Sequence, residues 1–326
     1  MDITVVICTH NPRQDYLDRV LTALQAQTLA KDRWELVVID NASNFAVADR
    51  IDITWHPQSR CVREPKLGLT PARLRGIDAA KSDIIVFVDD DNVLDADYLL
   101  NTERIARQYP AMGAWGGRIV GEFEQTPPVW SQRYLPLLAI REITADKLSD
   151  VLPTHETNPC GAGLCVRRIV AERYAKLVVS DGRRMSLDRK GKLLSSGGDT
   201  DLALVASDLG MGSGQFVALK LTHLIPAARL ELTYLLRLIE CMAYSHMVLY
   251  SLRHPLPPMR SLPKYLFHQL RSLSMSSQDR KFFNAEQRGT NLALADLHRD
   301  LVKVDLPKPK TYPTTQLSAR MTSNNV

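Results

Sequence analysis

Three apolar, β-branched runs lie in the first third of the chain: ITVVIC (3–8), ELVVID (35–40) and DIIVFVDDD (83–91). Segments of helical periodicity separate them. Continuous apolar strands alternating with amphipathic helices predict a parallel sheet covered on both faces and joined by right-handed crossovers. After the first run, Tyr16, Leu17, Val20, Leu21 and Leu24 recur at helical spacing, with Asn11 as the expected cap and Pro12 in the first turn. Before the third run, GLTPARLRGIDAAKS predicts a helix capped by Thr70 with Pro71 at its first position.

Each run ends in polar residues: Thr9-His10-Asn11, Asp40-Asn41 and Asp89-Asp90-Asp91. Open α/β sheets bind ligands beyond the carboxyl ends of their strands. The three ends therefore predict a single polar crevice. The aspartate triplet is the most demanding of them, because two carboxylates about 5 Å apart repel by roughly 3 kcal/mol at an effective dielectric near 20. Water, basic side chains or a divalent cation must compensate. Alternate side chains of a strand share a face, which puts Asp89 and Asp91 together and Asp90 opposite. Such a D-x-D pair suits Mg2+ or Mn2+, hard cations that accept one or two carboxylates plus substrate phosphates. A solvated acidic turn, or a helix cap before LDADYLL, is the plainer alternative.

From about residue 113 shorter strands and loops are expected, with Trp115, Trp130, Tyr134 and the NPCGAG loop as candidates for an acceptor pocket or for core. SSGGDTDLAL (195–204) places Asp199 and Asp201 at the entrance of a helix that Gly210 ends. A carboxylate there is a candidate general base, with an acidic helix cap as the alternative. His223 ends the strand VALKLTH and is a candidate metal ligand, or a strand-end histidine of structural role. Helices are expected beyond about residue 229, and the last twenty residues, which lack acids, read as a disordered tail.

Composition narrows the classes. The five cysteines are scattered without C-x-x-C spacing, so reduced thiols are expected. A net charge of +5 over 326 residues suits anionic ligands without demanding nucleic acid, and no basic–aromatic platform for nucleic acid is present. G-x-G-x-x-G, P-loop and G-x-S-x-G patterns are missing, which excludes the dinucleotide, P-loop and nucleophile-elbow classes. The apolar segment 230–252 carries Glu231, Arg237, Glu240 and His246, and reads as an amphipathic helix and not as a membrane span. A cytoplasmic location is expected, with that helix and the basic tail as candidates for peripheral contact with the inner face of the membrane.

Taken together, VVICTHNPRQDYLDRVLTAL, ELVVIDNAS, GLTPARLRGIDAAKSDIIVFVDDDN, GAGLCVRR and GGDTDLAL…LTHLIP resemble, in order, the family 2 glycosyltransferases of the GT-A fold over residues 1–226. The resemblance implies an α/β, Rossmann-like, mostly parallel sheet flanked by helices. It divides the chain into a nucleotide-binding half (1–112), an acceptor-binding half (113–226), a helical C-terminal extension (227–306) and the tail (307–326). It also implies metal-dependent, inverting transfer from a nucleotide diphosphate sugar, with a UDP-sugar expected and Mn2+ or Mg2+ as cofactor. Acceptors of this kind are a glycan, a lipid-linked molecule or a small molecule, in surface glycan or polysaccharide biosynthesis.

By the same resemblance Thr9, Asn11 and Arg13 form a nucleotide loop, Asp40 reads the base and Arg73 contacts the nucleotide. Asp89, Asp90 and Asp91 correspond to the D-x-D segment, with Asp91, Asp89 and His223 toward the metal. Asp199 corresponds to the base and Asp201 to its support. Leu74 and Gly198 depart from the asparagine and glutamate common at those places. The missing Q-x-x-R-W motif and transmembrane helices imply transfer of one or a few sugars and not processive synthesis. The rival readings are a nucleotidyltransferase and a non-catalytic carbohydrate-binding protein on the same fold.

Overall fold

A computed structural model describes residues 2–150, 156–189, 194–258 and 274–303. Strands β1 (Ile3–Thr9), β2 (Trp34–Asn41), β3 (Ser59–Glu64) and β4 (Ile84–Asp89) are parallel, in the order β3-β2-β1-β4. The sheet continues through β8 (Cys165–Arg167), β6 (Met112–Phe123), β9 (Gly212–Ile225) and β5 (Asn92–Leu94), with β7 (Lys147–Ser149) also paired to β9. β8 is antiparallel to both β4 and β6, and so joins a parallel half to a second half in which β6 and β9 run parallel.

The period-two alternation of the strands separates two cores. Val5, Leu36 and Val86 pack with Leu17, Val20 and Leu24 of α1 (Gln14–Gln25) and with Leu99 of α3 (Tyr98–Gln108). Val6, Val37 and Phe87 face the other way, onto Ile77 of α2 (Leu69–Ala79), Val170 of α4 (Arg168–Ser180) and Leu202 of α5 (Gly198–Asp208). Both faces are covered, as the continuous apolar runs require. β3, with the mixed sequence SRCVRE and half-exposed side chains, is an edge strand that the apolar pattern passes over.

Local expectations shift in three places. Asn11 does not cap α1; it takes a left-handed φ of 49°, and the helix begins after Arg13. α2 starts two residues early, after Gly68 at φ 139°, with Thr70 and Pro71 inside its first turn. β4 stops at Asp89, so Asp90 and Asp91 lie in the turn before β5 and the strand alternation expected of the triplet does not apply.

The C-terminal helices α6 (Leu232–Ser251) and α7 (Ser277–Lys303) pack side by side and run in the same direction, with Glu240 beside Arg288 and Tyr244 beside Asp296. They approach so closely at Gly289 that a Cβ there would overlap the Glu240 carbonyl. Leu235 and Leu238 of α6 pack with Tyr134, Ile225 and Phe282, and the Tyr134 and Phe282 rings stack at 3.5 Å. Among the described residues no helix is long and apolar enough to cross a membrane. The expected disordered tail lies outside the described residues.

Asp201, at the first turn of α5, is fully buried between Arg184 and Arg253, with Arg253 Nη1 at 2.9 Å, and Arg253 also reaches Asp208 at 2.7 Å. This cluster fastens the end of α6 to α5. Removing one charge from a buried cluster strands its partners, at a cost of about 3–5 kcal/mol. Asp201→Asn is therefore expected to lower stability by that amount in urea denaturation. His56 adds a pH dependence. Burial beside Trp34, at 4.1 Å between ring centroids, pushes its imidazole down from 6.5 to about 4. Between those values the unfolded chain takes up a proton that the folded chain refuses, so stability falls as pH drops through the window, by at most about 3 kcal/mol. His56→Gln is expected to flatten that slope.

Candidate active site at the strand ends

A cavity of 310 Å³ opens beyond the carboxyl ends of β1, β2 and β4. Thr9, His10, Asn41, Asp89, Asp90 and Asp91 reach it from the strand ends, Arg73 from α2, Gly161 and Ala162 from the NPCGAG loop, and Asp199 from α5. His223 enters from the end of β9, and Arg229 from the turn that follows it. The expected crevice exists, with exceptions at two of its corners. At the end of β2 it is Asn41 that faces the cavity. Asp40 instead accepts the backbone N–H groups of Ser43 at 3.1 Å and Val47 at 3.2 Å, pairs with Arg63, and borders a second cavity of 430 Å³ with Phe45 and Cys61. Asn11 and Arg13 also stay outside. Asn11 accepts from Asn44 N–H at 2.8 Å, and exposed Arg13 pairs with Asp15 and Glu124.

The aspartates of the triplet have separate surroundings. Asp90 accepts from the Thr9 hydroxyl. Burial, with Asp91 adding to it, pushes its carboxyl up to about 7. Burial also raises Asp89, again reinforced by Asp91 and opposed by Arg73. For Asp91 burial works against the charge, but His223 and Arg229 outweigh it and hold the carboxyl well below the usual carboxylate range. Arg229 Nη2 lies 3.0 Å from Asp91 Oδ2, and Asn92 donates to Asp91 Oδ1 at 2.9 Å.

His223 Nδ1 faces the Leu138 carbonyl at 3.0 Å, so that nitrogen carries a proton. Nε2 lies 3.0 Å from Arg229 Nη1 and 3.4 Å from Asp91 Oδ2, where loss of its proton would free a lone pair for a cation. Cis ligands of an octahedral cation with bonds near 2.1 Å stand about 3 Å apart. One carboxylate oxygen and one imidazole nitrogen at this separation are a fitting donor pair for Mn2+ or Mg2+. Among the described residues no group of three or more His, Cys, Asp or Glu side chains gathers as a metal cluster, so further ligands would come from phosphate oxygens and water. The lining holds five aspartates against three arginines, an excess of negative charge that a divalent cation offsets.

Also in the lining, Asp199 Oδ2 accepts from Gly161 N–H at 2.6 Å and Oδ1 from Thr200 N–H at 2.8 Å. Gly161 has no side chain because none fits: a Cβ there would lie 3.0 Å from both the Arg73 guanidinium and the Asp199 carboxylate. Buried Arg73 is thereby drawn to the same spot as the candidate base, and burial, its largest single influence, is outweighed by Asp188, Asp199 and Asp89, which keep it charged. Asp201 does not line the cavity; it anchors the helix that carries Asp199. Trp115 is wholly buried and Tyr134 is stacked on Phe282, so both are core; partly buried Trp130 packs with the same group. Asp188, Arg189 and Arg229 line the cavity without having been expected. Asp188 and Arg189 sit in MSLDRK, which has no motif around it, whereas Arg229 follows the strand-end His223 by six residues, and that proximity was a usable signal.

Comparison with curated proteins finds no match. Among solved structures, the Pyrobaculum calidifontis mannosyltransferase PcManGT in complex with GDP-Man and Mn2+ is similar at TM-score 0.55 and 16% identity, covering 90% of this chain and 86% of that one. S. aureus TarS 1-349 in complex with UDP-GlcNAc is similar at TM-score 0.50 and 13% identity, covering 91% and 84%. The match to the longer S. aureus TarS chain spans 45% of that protein. At these identities the likeness establishes the fold, GT-A. The sequence profile of Glycosyl transferase family 2 matches residues 4–174, from β1 into α4, taking in all three strand ends of the cavity; the chain belongs to that family.

Proposed function

We propose that this family 2 glycosyltransferase moves a sugar from a nucleotide diphosphate sugar, with a UDP-sugar as donor, onto an acceptor hydroxyl with inversion at the anomeric carbon. The observation that carries this reading is that one cavity holds an Asp91–His223 donor pair from strand ends and, from the first turn of α5, the Asp199 carboxylate near Arg73. A metal-binding pair and a separate carboxylate in one cavity suit a single displacement, in which the diphosphate leaves as the acceptor oxygen arrives on the other face of the sugar.

Asp91 Oδ2 and His223 Nε2 would hold Mn2+ or Mg2+ against the diphosphate; when bound, the ion stabilises negative charge growing on the leaving group. Arg229 and Arg189 add positive charge near Asp91. Arg229 now bridges the two metal donors, so an entering cation meets a guanidinium on the same two atoms. The donor's phosphate oxygens offer Arg229 an alternative partner, which couples cation binding to nucleotide binding. Asp199 takes the proton of the acceptor hydroxyl as the glycosidic bond of the donor breaks. Tyr234 and Leu238 of α6 border the space left for the acceptor. Transfer of one or a few sugars in surface glycan or polysaccharide biosynthesis, at the cytoplasmic side of a membrane, fits the chain's composition.

Calorimetric titration with UDP, GDP, CMP and dTDP, each with Mn2+ and with EDTA, tests the donor side. UDP is expected to bind selectively and to tighten with Mn2+, Mn2+ is expected to bind weakly without nucleotide, and Asp91→Ala is expected to lose the coupling. Absence of binding by every nucleotide under both conditions refutes the reading. For the chemical step, Asp199→Asn is expected to reduce turnover about 10²–10⁴-fold while donor affinity stays within a few-fold. Release of a nucleoside diphosphate, and not pyrophosphate, separates this reaction from nucleotidyl transfer.

A further inference from the structure

Asp188 is a buried carboxylate in the active cavity with no assigned part. It follows the short 3₁₀ turn Gly182–Ser186 and reaches between α2 and the start of α5. Both its oxygens accept from Arg73 Nη1, at 3.0 and 2.9 Å, and one also accepts from the Thr70 hydroxyl at 2.9 Å. The side chains of Arg73 and Asp188 are each only 4% exposed. Residue 198 is part of the same arrangement. A Cβ built on Gly198 would overlap the Asp188 carboxylate, and no left-handed φ accounts for the glycine. The space beside the candidate base is thus filled by a carboxylate from elsewhere in the chain.

We infer that Asp188 is a positioning residue for sugar transfer, which holds Arg73 and so keeps the Asp199 carboxylate available to take a proton. This rests on the role of Asp199 given above. The reason lies in the competition for one buried cation. Arg73 feels both Asp188 and Asp199, and Asp188 engages it through both oxygens. Without that partner, the guanidinium would close on Asp199, form an ion pair with it and weaken it as a base. The groups around the Arg73, Asp188 and Asp199 cluster are Thr70 from α2, Asp89 from β4, Cys160 from the NPCGAG loop, Tyr174 from α4 and Arg189. Burial raises the Asp188 carboxyl, with Arg73 opposing and Asp199 reinforcing, so the two carboxylates sense each other across the arginine.

The test compares wild type, Asp188→Asn, Asp188→Ala and the double variant Asp188→Ala/Gly198→Asp, which returns a carboxylate to the same space from the other segment. In Asp188→Asn, kcat is expected to fall on the order of 10²-fold. The acidic limb of its pH profile should move to lower pH, and donor Kd should stay within a few-fold. The double variant should regain at least tenfold over Asp188→Ala. Wild-type kcat with an unmoved acidic limb in Asp188→Asn overturns the inference, as does a folded double variant no better than Asp188→Ala. Carboxyl-detected NMR titration of Asp199, without substrate, separates this inference from the broader reading. Its midpoint should fall in Asp188→Asn even if no tested nucleotide sugar is turned over, and an unchanged midpoint refutes the role of Asp188 alone. Should Asp188→Asn not fold, the same titration of the double variant is expected to match wild type, and a lowered midpoint there counts against the inference.

Discussion

Mutual repulsion among carboxylates at the end of β4 governs the arrangement of everything around it. Asp89, Asp90 and Asp91 are brought together by a strand whose apolar residues are packed on both faces, so they have little freedom to separate. The chain answers with cations from distant segments: Arg73 from α2, Arg189 from the stretch before α5, and Arg229 from the turn after β9. Each is brought to the cavity by a separate part of the fold. The candidate site is therefore a convergence of long-range contacts, and the cation proposed for it would enter a balance of charge already set up by the protein.

The fold makes that convergence affordable in conformational terms. β8, antiparallel to its neighbours on both sides, joins the parallel half that delivers the aspartates to the half that delivers His223. α5 begins at the cavity and is tied at Asp201 to the 3₁₀ turn Gly182–Ser186 and to the end of α6. A candidate base at the first turn of a helix is held by its backbone N–H neighbours, and the helix is held in turn by a buried ion cluster away from the chemistry. Precision at the site is thus maintained from behind.

Much of this was legible in the residues. Continuous apolar runs gave β1, β2 and β4 and the double-layered core because burial on both faces leaves no room for polar alternation. Asp91, His223 and Asp199 were marked by position, at strand ends or a helix entrance, and Arg73 by the family resemblance. Asp40 borders the neighbouring cavity and Asn41 the main one because adjacent residues of a strand point to opposite faces, a difference that the strand-end pattern does not resolve. The role of Asn11 was misread because a left-handed residue and a helix cap favour the same side chain. Asp188 was invisible for a deeper reason: its partners, Arg73 and Gly198, meet it only through tertiary packing, and no local pattern encodes a carboxylate that fills another residue's space.

The paired helices α6 and α7 lie beyond the region matched by the family profile, yet Tyr234 and Leu238 of α6 form part of the cavity wall. α6 is itself backed by α7, which comes so close at Gly289 that no side chain has room there. The cavity is thus assembled from two sources in the chain: strand ends inside the profile-matched segment, and a helix outside it whose seat depends on a glycine nearly fifty residues further on.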